Sequence, residues 1–247
     1  MWSDTHCHLD LLDPHEIEKA RRVGVHRFLV PGITGCPENI VSYVEAHKDV
    51  YFAVGIHPLF IDQTSPATWH IMEEIAAHSR CVAIGEIGLD YFNKPVDKTS
   101  QRTVLERQFA LAEKMNLPVL IHLRRAFPDF LSALKRVSPL KVVMHMYSGS
   151  LEFSTALVKS SHDVYFSFGG PATNPNAHRI HQVLSHLPAE RILLETDAPD
   201  LPPHGTEPPN SPANLPLIGA RVASLLNIPV EQLASQTSQN AREVFQW

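Results

Sequence analysis

The feature that most constrains this chain is a repeat of structural type: a short apolar run followed by a segment of helical periodicity, eight times over. The apolar runs lie at 2–6, 27–30, 51–54, 81–84, 119–121, 141–144, 164–168 and 192–194. They are rich in Val, Ile, Leu and Phe with little polar alternation, as strands buried on both faces require. Helical segments follow at 14–23, 37–47, 68–78, 99–115, 127–137, 151–161, 176–186 and 215–226, and one more at 230–245 closes the chain. Asp13 before Pro14 supplies an N-cap and a first-turn proline. Leu117-Pro118 ends the fourth helix and feeds the next strand, and Leu105, Phe109, Leu111, Ala112 and Met115 give that helix an apolar face. Eight such units in 247 residues predict an α/β protein, a single-domain (β/α)8 TIM barrel over 1–247, with a doubly wound open sheet as the competing architecture. The seventh strand is the weakest, because Ser167-Phe168-Gly169-Gly170 breaks it early. The segment 198–216 holds seven prolines without periodicity. It reads as a long loop after the eighth strand, on the face where barrels carry active sites.

Composition removes several functional classes. With 44% hydrophobic and 19% charged residues the chain buries a large core and is not a disordered polymer. No apolar run approaches the roughly 20 residues that cross a bilayer. The start, Met1-Trp2-Ser3-Asp4, lacks the basic-then-apolar pattern of a secretory signal, so no membrane association is expected. Cys7, Cys36 and Cys81 are an odd number at unrelated spacings, which predicts no disulfide framework and a cytoplasmic location. A net charge of -5 argues against a globally basic nucleic-acid binder. No obligate protein partner is evident.

The residues that close the strands carry the chemistry. The first strand ends in His6-Cys7-His8, the third runs into His57, the fourth into Glu86 and the fifth into His122. The sixth reaches His145 and the eighth Asp197. In a parallel barrel these positions share one rim. Residues two apart on a strand face the same way, so His6 and His8 offer two imidazoles to one cation. Taken singly, each has a plainer reading: a polar strand end, a buried salt bridge for Glu86, a hydrogen-bonded core histidine for His122 or His145, a turn cap for Asp197. Their joint placement favours a metal site. Imidazole and carboxylate ligands suit zinc, manganese or a similar divalent ion, and there is no thiolate cluster for a structural zinc finger. With His57 left as an optional extra, the six ligands His6, His8, Glu86, His122, His145 and Asp197 exceed the needs of one tetrahedral ion, so two divalent ions sharing a carboxylate fit better.

The motifs Asp4-Thr5-His6-Cys7-His8-Leu9-Asp10, Gly55-Ile56-His57-Pro58 and Gly85-Glu86-Ile87-Gly88-Leu89-Asp90-Tyr91 stand in order along the chain. After them come Leu117-Pro118-Val119-Leu120-Ile121-His122-Leu123-Arg124, His145-Met146-Tyr147-Ser148-Gly149-Ser150, Leu194-Glu195-Thr196-Asp197-Ala198-Pro199 and Asn240-Ala241-Arg242-Glu243-Val244-Phe245. This set resembles the TatD family of metal-dependent hydrolases and deoxyribonucleases, of the amidohydrolase-like superfamily, and most resembles its YjjV-like branch. The resemblance covers nearly the whole chain. It implies two divalent ions per subunit, Zn, Mn or Mg: one held by His6, His8, Glu86 and Asp197, the other by Glu86, His122 and His145, with Glu86 as the bridge. Two departures stand out. Leu59 follows Pro58 where many relatives have a second histidine, and 205–214 lacks the basic segment that often precedes Asn-x-Pro. Both bear on substrate choice and leave the metal ligands intact.

The expected reaction is attack of a metal-activated water on a phosphodiester, with Asp197 and Glu86 as catalytic groups and Asp197 accepting the proton. Two divalent ions outweigh the two carboxylates, so the rim is locally positive. His57, Arg124 and Asp90 are candidate substrate-binding residues. Arg124 reads equally as a salt-bridge partner, and Asp90 as a group that orients a ligand histidine or caps a helix. Cys7 points away from its neighbouring ligands and is not a nucleophile. Gly169-Gly170 admits either a close substrate or a simple turn. Asn240 and Arg242 read as structural. The negative net charge favours an enzyme acting on DNA ends, single strands or short oligonucleotides over a sequence-reading nuclease, and the resemblance implies a 3′–5′ exodeoxyribonuclease. The same site on another bond would make a hydrolase of a small-molecule ester, lactone or amide. A non-catalytic scaffold that retains a metal is the third reading.

Overall fold

The computed structural model describes residues 1–37, 39–92 and 97–247. Its strands are β1 (Trp2–Asp4), β2 (Val25–Val30), β3 (Thr34–Gly35), β4 (Val50–Ile56), β5 (Cys81–Asp90), β6 (Val119–Arg124), β7 (Lys141–Met144), β8 (Asp163–Phe168) and β9 (Ile192–Leu194). Its helices are α1 (His15–Arg22), α2 (Ile40–Ala46), α3 (Pro66–Ile75), α4 (Lys98–Met115), α5 (Phe127–Leu134), α6 (Leu151–Val158), α7 (His178–Leu184), α8 (Leu215–Leu226) and α9 (Val230–Phe245). The sheet order is β1-β2-β4-β5-β6-β7-β8-β9, with β3 antiparallel to β4. Eight strands alternating with helices in this order have the topology of a (β/α)8 barrel and not of a doubly wound sheet.

The chain divides into two compact units. One comprises Met1–Val30, Met146–Ser160 and Val164–Trp247; the other comprises Pro31–His145 and Ser161–Asp163. In the first, β1 runs parallel to β2 and β8 parallel to β9. The first and last strands are joined there: Thr5 N–H donates to the Leu194 carbonyl at 3.1 Å, and Asp197 N–H to the His6 carbonyl at 2.9 Å. Phe28, Leu29, Phe166, Phe168 and Leu193 form part of its buried core. In the second unit β4, β5, β6 and β7 are parallel neighbours, and Phe52, Ile84, Ile87, Phe109 and Phe130 are buried. Each such side chain contributes roughly 1.5–3 kcal/mol when taken from water.

Local chemistry accounts for the helix ends. Ser65 and Thr68 form a capping box with Pro66 in the first turn of α3, so the helix starts two residues before the predicted 68. The Asp97 side chain accepts the Ser100 N–H at 2.8 Å and starts α4, while Asn116 ends it in the left-handed region, φ 53°. Asp13 accepts the His15 N–H at 2.8 Å, as its position before Pro14 anticipates. Helix α2 begins at Ile40, inside the predicted 37–47; residue 38 of that prediction lies outside the described residues. The loop 198–216 carries only a short 3-10 turn, Pro212–Asn214, before α8. Among the described residues no single helix is long and apolar enough to cross a membrane.

Three strand ends depart from the sequence reading, and all bear on the site. Strand β1 stops at Asp4, so His6 and His8 lie beyond it. Strand β5 continues through Glu86 to Asp90, past a register shift between Ile84 and Ile87. This irregularity places Glu86 where regular pleating breaks, a common device beside active sites. Strand β6 includes His122 and Arg124.

Candidate metal centre

In the first unit three predicted ligands converge on one oxygen. His6 Nε2 lies 3.5 Å and His8 Nε2 3.8 Å from Asp197 Oδ1. The rings meet edge to face, with centroids 5.2 Å apart. Both histidines are buried. Although they lie past the end of β1, the main chain there is still tied to its neighbours. Cys7 N–H donates to the Leu29 carbonyl at 3.0 Å between them, and His8 N–H to the Ala198 carbonyl at 2.8 Å. Asp197 sits in the left-handed region at φ 58°, which aspartate tolerates better than most residues. Distances of 3.5–3.8 Å are too long for hydrogen bonds. They are close to the roughly 3.4 Å between donors that each sit about 2.1 Å from a tetrahedral ion.

Asp4 supports this group from below. It accepts the Thr196 hydroxyl at 2.6 Å, the Thr196 N–H at 3.0 Å and the His6 N–H at 3.3 Å. Burial pushes its carboxyl up to about 7, against those hydrogen bonds. Asn210 braces the following loop, donating from Nδ2 to the Thr196 carbonyl at 2.8 Å and the Asp200 carbonyl at 2.9 Å. Cys7 is fully buried, and burial together with Asp4 pushes its thiol well above the usual range, so it supplies no nucleophile.

In the second unit the focus is Glu86 Oε1. His122 Nδ1 lies 2.9 Å from it, His57 Nε2 3.6 Å and His145 Nε2 3.8 Å. His122 Nε2 faces Asp90 Oδ2 at 3.2 Å, so the ring is held at both nitrogens. Burial opposes charge on His122, but hydrogen bonds to Asp90 and then Glu86 outweigh it and raise its basicity. Asp90 therefore orients a predicted ligand histidine. His57, Glu86 and His122 are close enough for one cation. The tautomer of His57 argues for another use. Leu59 N–H donates to His57 Nδ1 at 3.1 Å, so the neutral ring carries its proton on Nε2 and presents a donor there. Burial pushes His57 down to about 4, which keeps it neutral near pH 7.

Helix α4 fixes the strand ends around this group. Gln108 accepts the Ile56 N–H at 2.7 Å and donates to the Ile56 carbonyl at 3.2 Å, one residue before His57. Gln101 does the same to Asp90. Both glutamines are buried. Sequence reading missed them because a polar residue on an amphipathic helix looks like surface. It also gave Glu195 no role, yet this residue is fully buried and accepts the Met146 N–H at 2.6 Å. Its signal, an acid directly after an apolar strand, was the one used for Glu86.

Arg124 follows His122 by two positions and is exposed. Among the described residues it forms no salt bridge; its guanidinium lies 3.8 Å from the centroid of the Phe92 ring, with that of Arg125 at 4.4 Å. Asn240 is structural, donating to the Ala189 and Ile192 carbonyls at 2.8 Å each. The donor set of imidazoles and carboxylates, buried or half-buried and free of thiolate, fits divalent ions.

Comparison with known proteins agrees with this chemistry. A sequence profile described as TatD related DNase matches residues 3–246. The metal-dependent hydrolase YabD of Bacillus subtilis is 36% identical over 99% of this chain and 99% of its own. The 3′-5′ ssDNA/RNA exonuclease TatD of Pantoea ananatis is 32% identical over 93% of this chain and 91% of its own. The crystal structure of YjjV, a TatD homologue from Escherichia coli, superposes with a TM-score of 0.92 at 29% identity, covering 100% of this chain and 98% of that one. The chain belongs to the TatD family of metal-dependent hydrolases.

Proposed function

We propose that this chain is a single-domain phosphodiesterase of residues 1–247 that hydrolyses DNA ends or short single strands as a 3′–5′ exonuclease. The observation that carries the reading is the pair of foci, Asp197 Oδ1 with His6 and His8, and Glu86 Oε1 with His122 and His145. We assign one divalent ion to His6, His8, Glu86 and Asp197 and a second to Glu86, His122 and His145, with zinc, manganese and magnesium as candidates. When bound, such ions lower the pKa of a water molecule and offset charge on phosphoryl oxygens.

The chain's own residues do the rest. Asp197 orients the attacking water and takes its proton as the new O–P bond forms and the bond to the leaving oxygen breaks. Asp90 holds His122 in one orientation. The His57 Nε2–H donates to a non-bridging phosphate oxygen. Arg124, braced on Phe92, contacts a further phosphate, and its lack of a carboxylate partner among the described residues leaves its charge for a ligand. The name of the Pantoea relative supports a nucleic-acid substrate. Three cysteines with no disulfide between them fit the cytoplasm.

Metal analysis of the purified protein, joined to turnover of 3′-labelled single-stranded DNA with Mg²⁺, Mn²⁺ or Zn²⁺, tests this. Release of mononucleotides with about two ions per chain is expected. No DNA turnover beside robust cleavage of a small ester, lactone or amide would move the same site to a small-molecule substrate.

A further inference from the structure

Leu201 is a bulky apolar residue held, partly exposed, in a backbone conformation that favours glycine. Its φ is 48° and 44% of its surface is open to solvent. In this region a leucine Cβ crowds the neighbouring carbonyl, whereas glycine takes the same conformation at no steric cost. Its carbonyl is held from two sides. Asn210, itself buried, donates from Nδ2 to the Leu201 carbonyl at 3.3 Å as well as to those of Thr196 and Asp200. Gly170 packs so closely that a Cβ on it would stand 2.0 Å from the Leu201 carbonyl oxygen. Asp200 N–H donates to the Asp197 carbonyl at 2.9 Å, so the turn that presents Leu201 begins on the proposed proton acceptor.

An exposed leucine alone is ordinary. An exposed leucine in a disfavoured conformation, clamped from two sides one turn beyond Asp197, gains little from the core for the strain it carries. Such over-determined residues cluster where ligands bind. The ligand surface next to the reacting phosphate has two characters: polar sugar and phosphate, and the apolar face of the base. A leucine side chain complements only the second.

We propose that Leu201 is a specificity-determining residue that supplies the apolar surface against which the nucleobase beside the scissile phosphodiester rests. This deepens the phosphodiesterase reading and rests on it. The glycine beside it has the same purpose: Gly170 makes room for the Leu201 main chain, so its role is packing against this loop.

The test compares wild type, Leu201→Gly and Leu201→Met on two diesters, one with a base and one without. They are thymidine 5′-(p-nitrophenyl phosphate) and methyl p-nitrophenyl phosphate. Binding of thymidine monophosphate and of methyl phosphate is measured by calorimetry on the same proteins. Leu201→Gly relieves the backbone strain, so it melts no lower than wild type. We expect its kcat/KM on the thymidine diester to fall about tenfold, the scale of a lost apolar contact, and to stay within twofold on the methyl diester. Thymidine monophosphate binding weakens by a similar factor, and Leu201→Met keeps both. Equal losses on the two diesters, no loss on either, or a wild type that binds thymidine monophosphate no better than methyl phosphate overturns the proposal. A wild type that cleaves neither diester overturns the phosphodiesterase reading, and the calorimetry then decides the role of Leu201 by itself.

Discussion

Gln101 and Asp90 exchange two hydrogen bonds: the Asp90 N–H donates to Gln101 Oε1 at 2.8 Å, and Gln101 Nε2 donates to the Asp90 carbonyl at 2.9 Å. A side-chain amide thus serves as a surrogate strand partner for the last residue of β5. Gln108, two turns along α4, does the same for Ile56 at the end of β4. The two strand ends that carry Asp90 and precede His57 are set by one helix.

Replacing Gln101 by leucine leaves a buried N–H and a buried carbonyl without this partner. Each such loss costs about 1–3 kcal/mol. Thermal melting is expected to drop by several degrees, since about 1 kcal/mol shifts a protein of this size by roughly 2–4 °C. The Asp90–His122 hydrogen bond loosens with it, so kcat falls more than stability alone dictates. A variant that melts and turns over like wild type would show the clamp to be idle.

Asn replaces Asp197 without disturbing the backbone, because both residues accept the left-handed conformation seen at φ 58°. Asp197→Asn removes the proton acceptor and keeps one ligating oxygen. Turnover is expected to fall by about 10²–10⁴, the usual worth of a positioned general base, while elemental analysis finds most of the metal retained. Undiminished turnover would remove Asp197 from its assigned role.

Gly88 adopts φ 146°, and a Cβ there would lie 1.8 Å from the His122 carbonyl oxygen. Gly88→Ala forces β5 away from β6 at the residue that faces Glu86. A loss of about 2–4 kcal/mol is expected from strain and overpacking together, read in a urea titration as a lower midpoint. An unchanged midpoint would contradict the close approach.

His162 is a proton-linked stability element away from the metal ligands. The Leu140 N–H donates to its Nδ1 at 3.1 Å, and its Nε2 lies 3.0 Å from the Leu134 carbonyl, a pattern that only the neutral ring satisfies. Burial lowers its basicity, against the bond to Leu134. The folded chain thus binds this proton less readily than the unfolded chain. The contribution is whole above the ordinary histidine value of about 6.5 and is lost as pH falls through the lower folded value. His162→Asn retains an acceptor for Leu140 and cannot titrate. Its unfolding free energy, followed from pH 7.5 to 5, should decline less than that of wild type; parallel curves would exclude His162 as a source of the decline.

Much of this was legible in the linear chain. Strands 141–144 and 192–194 and the helices 215–226 and 230–245 coincide with β7, β9, α8 and α9, because proline, asparagine and apolar periodicity mark their ends locally. The convergence of His6 and His8 on Asp197 was visible too, since parallel strands bring their ends to one face. What escaped depends on partners distant in sequence. The true length of β5 follows from its register with β6, and the burial of Gln101 and Gln108 from strand ends that lack a neighbour. The two-residue β3 is too short to leave a periodic signal. Leu201 was invisible because nothing in its identity announces a positive φ.

The seam between the chain's two extremities has a biosynthetic corollary. His6 and His8 are synthesised well before the segment that carries Asp197. Until Leu194 reaches Thr5 and Asp197 reaches the His6 carbonyl, the early imidazoles lack the Asp197 carboxylate. On the proposed ligand set, the acidic member of this trio is thus among the last pieces to be set in place.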